Sequence, residues 1–261
     1  MDSGAPQEDI DRLSNQIDQF KKIRVFDKPR RDYQAVELTA TKRFSRNFFA
    51  QGSYTYSRLR GNYPGLFSAD NGQVDPNISS QFDLIELLSN RDGPLTADRP
   101  HYFKVDSYYT HDMKEIGSAT GGIRFRALSG TPISALGRHY LYGFNESFLL
   151  PRGAMGRTDF DFSLDVHMSY GRQLGKGMRL EVFTDLFSIF NTQGTFSVSQ
   201  AYTLDEVNPV VGGQYEDLVF AKAQTAQGGE TADPISRYGN FLNTTSRYSP
   251  FSARIGARLT F

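Results

Sequence analysis

Residues 251–261, FSARIGARLTF, alternate almost without a break and stop on an aromatic. Phe251, Ala253, Ile255, Ala257, Leu259 and Phe261 fall on one face, and Ser252, Arg254, Gly256, Arg258 and Thr260 on the other. Side chains of a strand point to opposite faces with period two. An apolar face opposite one that carries arginines suits a wall with lipid on one side and water on the other. In a water-soluble sandwich the apolar face needs a partner sheet, whereas in a membrane barrel acyl chains suffice.

The same period recurs upstream. Val36, Leu38 and Ala40 oppose Glu37, Thr39 and Thr41, and a turn at Ser45-Arg46-Asn47 leads to Phe48, Ala50, Gly52, Tyr54 and Tyr56 on one face of the next strand. Further strands are expected over His101–Met113, around Ala119–Ala127, from Phe160 to Tyr170 and around Leu180–Leu186. With the terminal strand this makes seven, each of about 11–13 residues, against about five or six in soluble sheets and about 9–11 for a tilted bilayer crossing. Residues 61–98, 129–157 and 191–249 are irregular and turn-rich. Connections therefore alternate short and long, as periplasmic turns and extracellular loops do in outer-membrane barrels. The expected fold is all-β: an antiparallel transmembrane β-barrel fragment of about seven long strands.

Composition agrees. No run approaches the apolar length of a membrane helix, yet hydrophobic residues at 38% are enough for strands that need one at every second position. Phe and Tyr supply an aromatic content of 13% without any Trp, enough for girdles at two bilayer interfaces. The formal net charge of zero gives no basic field for nucleic acid. The absence of cysteine removes disulfides, thiolate metal sites and thiol nucleophiles.

Four segments carry a family resemblance: YPGLFSADNGQVDPN (63–77), DRPHYFKVDSYY (98–109), LLPRGAMGRTDFDFSLDVHMSYGRQL (149–174) and LEVFTDLFSIFNTQ (180–193). In this order they resemble the barrel of TonB-dependent outer-membrane receptors, most closely the Oar-like branch. The terminal strand, with Phe251, Ile255, Leu259 and Phe261, also resembles the C-terminal signal read by the outer-membrane assembly machinery. The resemblance implies a 22-stranded barrel around a plug, which imports a scarce solute with energy passed through TonB. Residues 1–11, MDSGAPQEDID, are not an export signal, and neither TonB box nor plug is present. The expectation is therefore the C-terminal third or so of a larger barrel. Residues 1–31 would be the remnant of an extracellular loop, with a short helix at 9–20, and residues 32–261 the barrel portion. Implied partners are outer-membrane lipid, the barrel-assembly machinery, an unidentified solute, and TonB only through a plug outside these residues. No cofactor, no nucleic acid and no catalytic step are expected.

Several residue groups invite chemistry. Asp70, Asn71, Asp75 and Asn77 gather around Gly72 as weak calcium candidates, but the spacing is not that of an EF-hand and a turn built from Asx side chains is the favoured reading. His101, His111, His139 and His167 are scattered. His111-Asp112 and His167 with Asp165 would be the acid–base pairs of an outer-membrane hydrolase, but no Gly-x-Ser-x-Gly element accompanies them. Lys104, Asp106, Arg124, Arg126, Asp161, Asp165, Glu181, Arg254 and Arg258 share the polar face with Glu37, as a solvated lumen wall. Tyr140, Tyr142, Phe144 and Phe148 lie in a loop, where they pack the loop or meet a ligand. The rival functions are a surface adhesion or secretion-linked barrel without transport, an outer-membrane hydrolase, and a soluble sugar-binding sandwich.

Overall fold

The computed structural model describes residue 7 and residues 27–261 apart from 74, 77, 176 and 226–228. The helix expected at 9–20 lies outside the described residues. Seven long strands form one antiparallel sheet: β1 (Arg31–Ser45), β2 (Phe48–Gly61), β3 (His101–Asp112), β4 (Ser118–Leu128), β5 (Asp161–Gly175), β6 (Met178–Phe187) and β7 (Ser252–Thr260). Their spatial order is their chain order, a meander. Arg46 and Asn47, both with positive φ, make the tight turn between β1 and β2. Such a turn matches the right-handed twist of the flanking strands. Short turns also join β3 to β4 and β5 to β6, and the three long connections all leave from the opposite end.

Register turns the local alternation into a two-faced wall. Directly opposite residues share a face. Leu38 faces Tyr54, which faces Phe103, then Ala127, then Phe162. A parallel row runs Ala50, Ser107, Ile123, Val166, Leu186 and Ala253. Leu38, Phe103, Ile123, Met168, Val182 and Ile255 are exposed, Ile255 to 77%. No second layer covers this face: Phe160 and Leu259 are also exposed, and Leu164 and Val166 are only half-buried. The opposite face alternates with it, carrying rows such as Gln51, Asp106, Arg124 and Asp165.

The row from Ala50 to Ala253 begins near the short-turn end of β2 and ends near the long-loop end of β7. Successive strands are thus staggered in one direction. That shear is what a sheet needs when its strands tilt around a barrel axis. The sheet does not close: β1 and β7 each have one edge without a partner strand among the described residues. No helix among the described residues is long and apolar enough to cross a membrane, which says nothing about strands.

The packed core lies beyond the wall. Ala135, Leu149, Leu150, Tyr202, Val207, Leu218, Ala221 and Phe241 form a buried cluster, and all of them come from the long connections. Those connections are more ordered than their composition suggests. Leu136–His139 pairs with Gly143–Phe148 and with Ala201–Glu206, Thr195–Val198 pairs with Thr244–Arg247, and Lys222–Gln224 pairs with Glu230–Pro234. Three loops that leave the same end of a sheet lie side by side, and their apolar residues bury against one another to form a cap.

A charge on the apolar face tests the assignment. Ile255→Arg, halfway along β7, should cost about 2–4 kcal/mol in urea unfolding from lipid bilayers. Arg258→Gln on the polar face should stay within about 0.5 kcal/mol.

Candidate functional site

The polar face of the wall is a field of paired charges. Asp106 of β3 accepts from Arg124 Nε at 3.2 Å and from Arg126 Nη2 at 2.9 Å, both on β4. On the other side, Asp185 of β6 joins His167 Nδ1 of β5 at 2.6 Å and Arg254 Nη2 of β7 at 2.6 Å. The Phe183 ring lies against Gly256, where a Cβ would stand 2.5 Å from it, and Arg254 sits over that ring at 5.6 Å. Glycine at 256 thus allows an aromatic to lie flat on the wall. Between the two clusters is an open hollow of about 460 Å³, lined by Asp106, Tyr108, Arg124, Asp165, His167 and Arg254. Carboxylates (Asp106, Asp165 and Asp185) and arginines (Arg124 and Arg254) both line it, so it suits water and polar solutes. Exposed pairs of this kind add little stability. Their chemical consequence is a hydrated surface.

His167 therefore pairs with Asp185, across the ladder, and not with Asp165, which accepts the Ser188 N–H at 2.9 Å. The tight turn around Gly177 sets that register, so the pairing could be found by counting back from the turn. The four histidines are not brought together. His101 bonds Tyr54 Oη at 2.8 Å, His111 lies at the short-turn end of β3, and His139 is buried in the cap.

The cap is held by buried ion pairs. Arg91 Nη2 donates to Glu146 at 2.8 Å, and Arg152 Nη1 donates to Asp70 at 2.7 Å, with all four side chains almost wholly enclosed. The Phe148 ring lies between the two guanidiniums, 5.1 Å from Arg91 and 4.4 Å from Arg152. Burial pushes the Arg91 guanidinium down from its ordinary range, and Glu146 opposes that. Arg157 pairs with Asp98, whose other oxygen accepts the Leu59 N–H at 2.6 Å. Asn90, with φ of 62°, shares its amide among the carbonyls of Phe148, Leu149 and Val210 and accepts from Gly212 N–H, so one side chain ties all three loops. At Gly130 a Cβ would overlap the Thr158 carbonyl, which explains the glycine before Thr131-Pro132.

The acidic turn at 70–77 is drawn into this network. Asp70 holds Arg152 and the Thr96 hydroxyl. Asn71 donates to Glu146 and caps the Gln73 N–H at 3.1 Å, and Gln73 reaches Asp75 at 3.5 Å. Asn77 lies outside the described residues. No group of three His, Asp or Glu among the described residues is arranged for a metal ion. Phe148 packs the loop itself, whereas Tyr142 and Phe144 are exposed. His139 is enclosed by the rings of Tyr140 and Tyr142, with Nε2 3.8 Å from Glu86, too far for a hydrogen bond, and burial holds it below the ordinary histidine range.

Comparison with known proteins places this arrangement. No family model matches the chain, and no solved structure matches it. The chain is 39% identical over 243 residues to the TonB-dependent transporter Oar of Myxococcus xanthus, a match that covers 90% of this chain and 23% of that protein. The chain thus spans about a quarter of the length of the curated relative it matches. An open, staggered, two-faced β wall with this similarity resembles a barrel segment of a TonB-dependent receptor of the bacterial outer membrane. Within that class, the match supports a C-terminal portion of an Oar-like receptor. The quoted segments supply pairs of the cap: Arg152 of PRGAMGRT joins two loops through Asp70, and Arg157 holds Asp98 of DRPH, which also accepts the Leu59 N–H of the wall.

Removing one partner of a buried pair leaves the other charge uncompensated. Glu146→Leu should cost the cap about 3–5 kcal/mol, and Arg91→Met together with Glu146→Leu should cost much less. Hydrogen exchange of residues 129–157, followed separately from exchange in the wall strands, measures both.

Proposed function

We propose that this chain is a wall and loop cap for solute uptake across the outer membrane by a TonB-dependent receptor. The observation that carries the reading is the pairing of an apolar outer face with a charge-balanced polar face, in a chain similar to a protein named a TonB-dependent transporter. The apolar face meets lipid and the polar face lines the lumen around a plug. The short turns lie in the periplasm and the cap lies outside the cell. Residues 1–31 belong to an extracellular loop, a reading supported by Arg30, whose N–H donates to Asn62 Oδ1 at the long-loop end. Residues 32–261 form the barrel portion, and further strands complete it along the free edges of β1 and β7, since lipid does not tolerate unpaired backbone. Energy reaches the solute through TonB and the plug. The aromatic strand β7, with Phe251, Ile255, Leu259 and Phe261 exposed, serves as the assembly signal. The chain does no covalent chemistry in this reading: Asp185 is bonded to both His167 and Arg254 on a hydrated wall.

Two measurements test this. The chain has no native cysteine, so single substitutions report position cleanly. Val211→Cys in the cap should react with a membrane-impermeant maleimide on intact cells, and Arg46→Cys only after the outer membrane is permeabilised. Periplasmic solutes should then be compared between wild type, a strain without the receptor and a strain without TonB. The same solute should be depleted in both mutants. A receptor mutant that alters secreted or adhesive proteins while its periplasmic solutes match wild type would overturn transport in favour of the surface role.

A further inference from the structure

The cap contains a crevice of about 640 Å³, within the size range of small-ligand sites, to which all three long loops contribute. One wall of it is unusual. Residues 196–201 line it consecutively. A strand seen face-on offers only every second side chain. Lining by successive residues means that the edge of the extended segment, its main chain, is turned toward the space.

That edge is free where it matters. Thr195–Val198 pairs with Thr244–Arg247 in a sheet of only two strands. Beyond that ladder, the main chain of Phe196, Ser197 and Val198 makes no hydrogen bond among the described residues. In an antiparallel pair, alternate N–H and C=O groups point away from the partner strand. Past this stretch Ser199 continues the same pairing to Asn243 and Leu242, and the other edge is occupied where Gln200 accepts from the Leu136 N–H.

The charges around the crevice are lopsided. Asp70, its lining carboxylate, is neutralised by Arg152 at 2.7 Å. Arg99 has no carboxylate within salt-bridge distance among the described residues. It donates to the Ser129 carbonyl and the Tyr248 hydroxyl, lies over the Phe196 ring at 5.9 Å, and feels Asp161 only through space. Asn145 also lines the crevice.

The geometry points to a short extended peptide as the ligand of this crevice, its backbone added as a third strand along Phe196–Val198 and a carboxylate held by Arg99. Main-chain pairing gives such a complex its affinity, and the pockets beside the edge give it selectivity. The inference deepens the transport reading, since a peptide held in the cap is a solute presented to the barrel.

The test is binding in detergent, on the full receptor that carries this chain, with a pentapeptide library bearing free C-terminal carboxylates. Retained peptides are identified by mass spectrometry and resynthesised. Expected are retention of a subset, at least about tenfold weaker binding on N-methylation of alternate backbone amides, and a loss of similar size for Arg99→Gln that the C-terminal amide form does not show. Arg99→Lys should recover part of it, and near-ultraviolet circular dichroism confirms that each variant keeps its cap. No retained peptide, N-methylated forms that bind equally well, or capture by maltotriose competing with peptide would each overturn the proposal. Uptake is read separately in cells with and without TonB. Binding without uptake removes the transport reading and leaves the crevice assignment standing, whereas uptake of another solute without peptide binding does the reverse.

Discussion

Cross-strand register is the constraint on which this molecule rests. Alternation within one strand is a local fact, but a wall needs the alternation of every strand to be in phase with its neighbours. A slip of one residue in any ladder would carry an entire apolar set to the wrong face. The pairings of Leu38 with Tyr54, Tyr54 with Phe103, Phe103 with Ala127 and Ala127 with Phe162 keep that phase, and the short turns between hairpin partners set it. The steady stagger of the rows adds tilt, so the same ladders specify both the two faces and the curvature.

Order in the loops has a different origin. The wall spends its apolar residues on the outside, so it has no interior of its own. A conventional core forms only where the long connections meet, around Leu149, Tyr202, Val207 and Phe241. Buried charge fixes the arrangement. Arg91 and Arg152 enclose Phe148 and reach Glu146 and Asp70 from separate loops, and Asn90 bridges carbonyls from two further segments. Each partner satisfies a group that would be costly to bury alone. The cap is therefore a shaped surface, able to carry a crevice with a defined edge.

The two halves suit one task. The polar wall carries charges of both signs around the hollow between Asp106 and Asp185, which under the proposed function is a path for hydrated solutes. In the cap, Arg99 stands without an ionic partner among the described residues, and it is there that the proposed function puts selectivity. The similarity to Oar, over 90% of the chain, takes in residues of both halves.

The sequence by itself determined the seven strands, their two faces and the alternation of short and long connections, because period two and turn chemistry are local. It also carried the family resemblance and the aromatic final strand. Tertiary structure alone decided that Arg254 of the final strand meets Asp185, since those partners are far apart in the chain. It decided too that Asp70 and Asn71 turn toward Arg152 and Glu146, and that residues 129–157 and 191–249 are folded. Those loops have no periodicity to read: their order comes from ion pairs and apolar contacts between segments brought together only when the strands have already placed all three loops at one end.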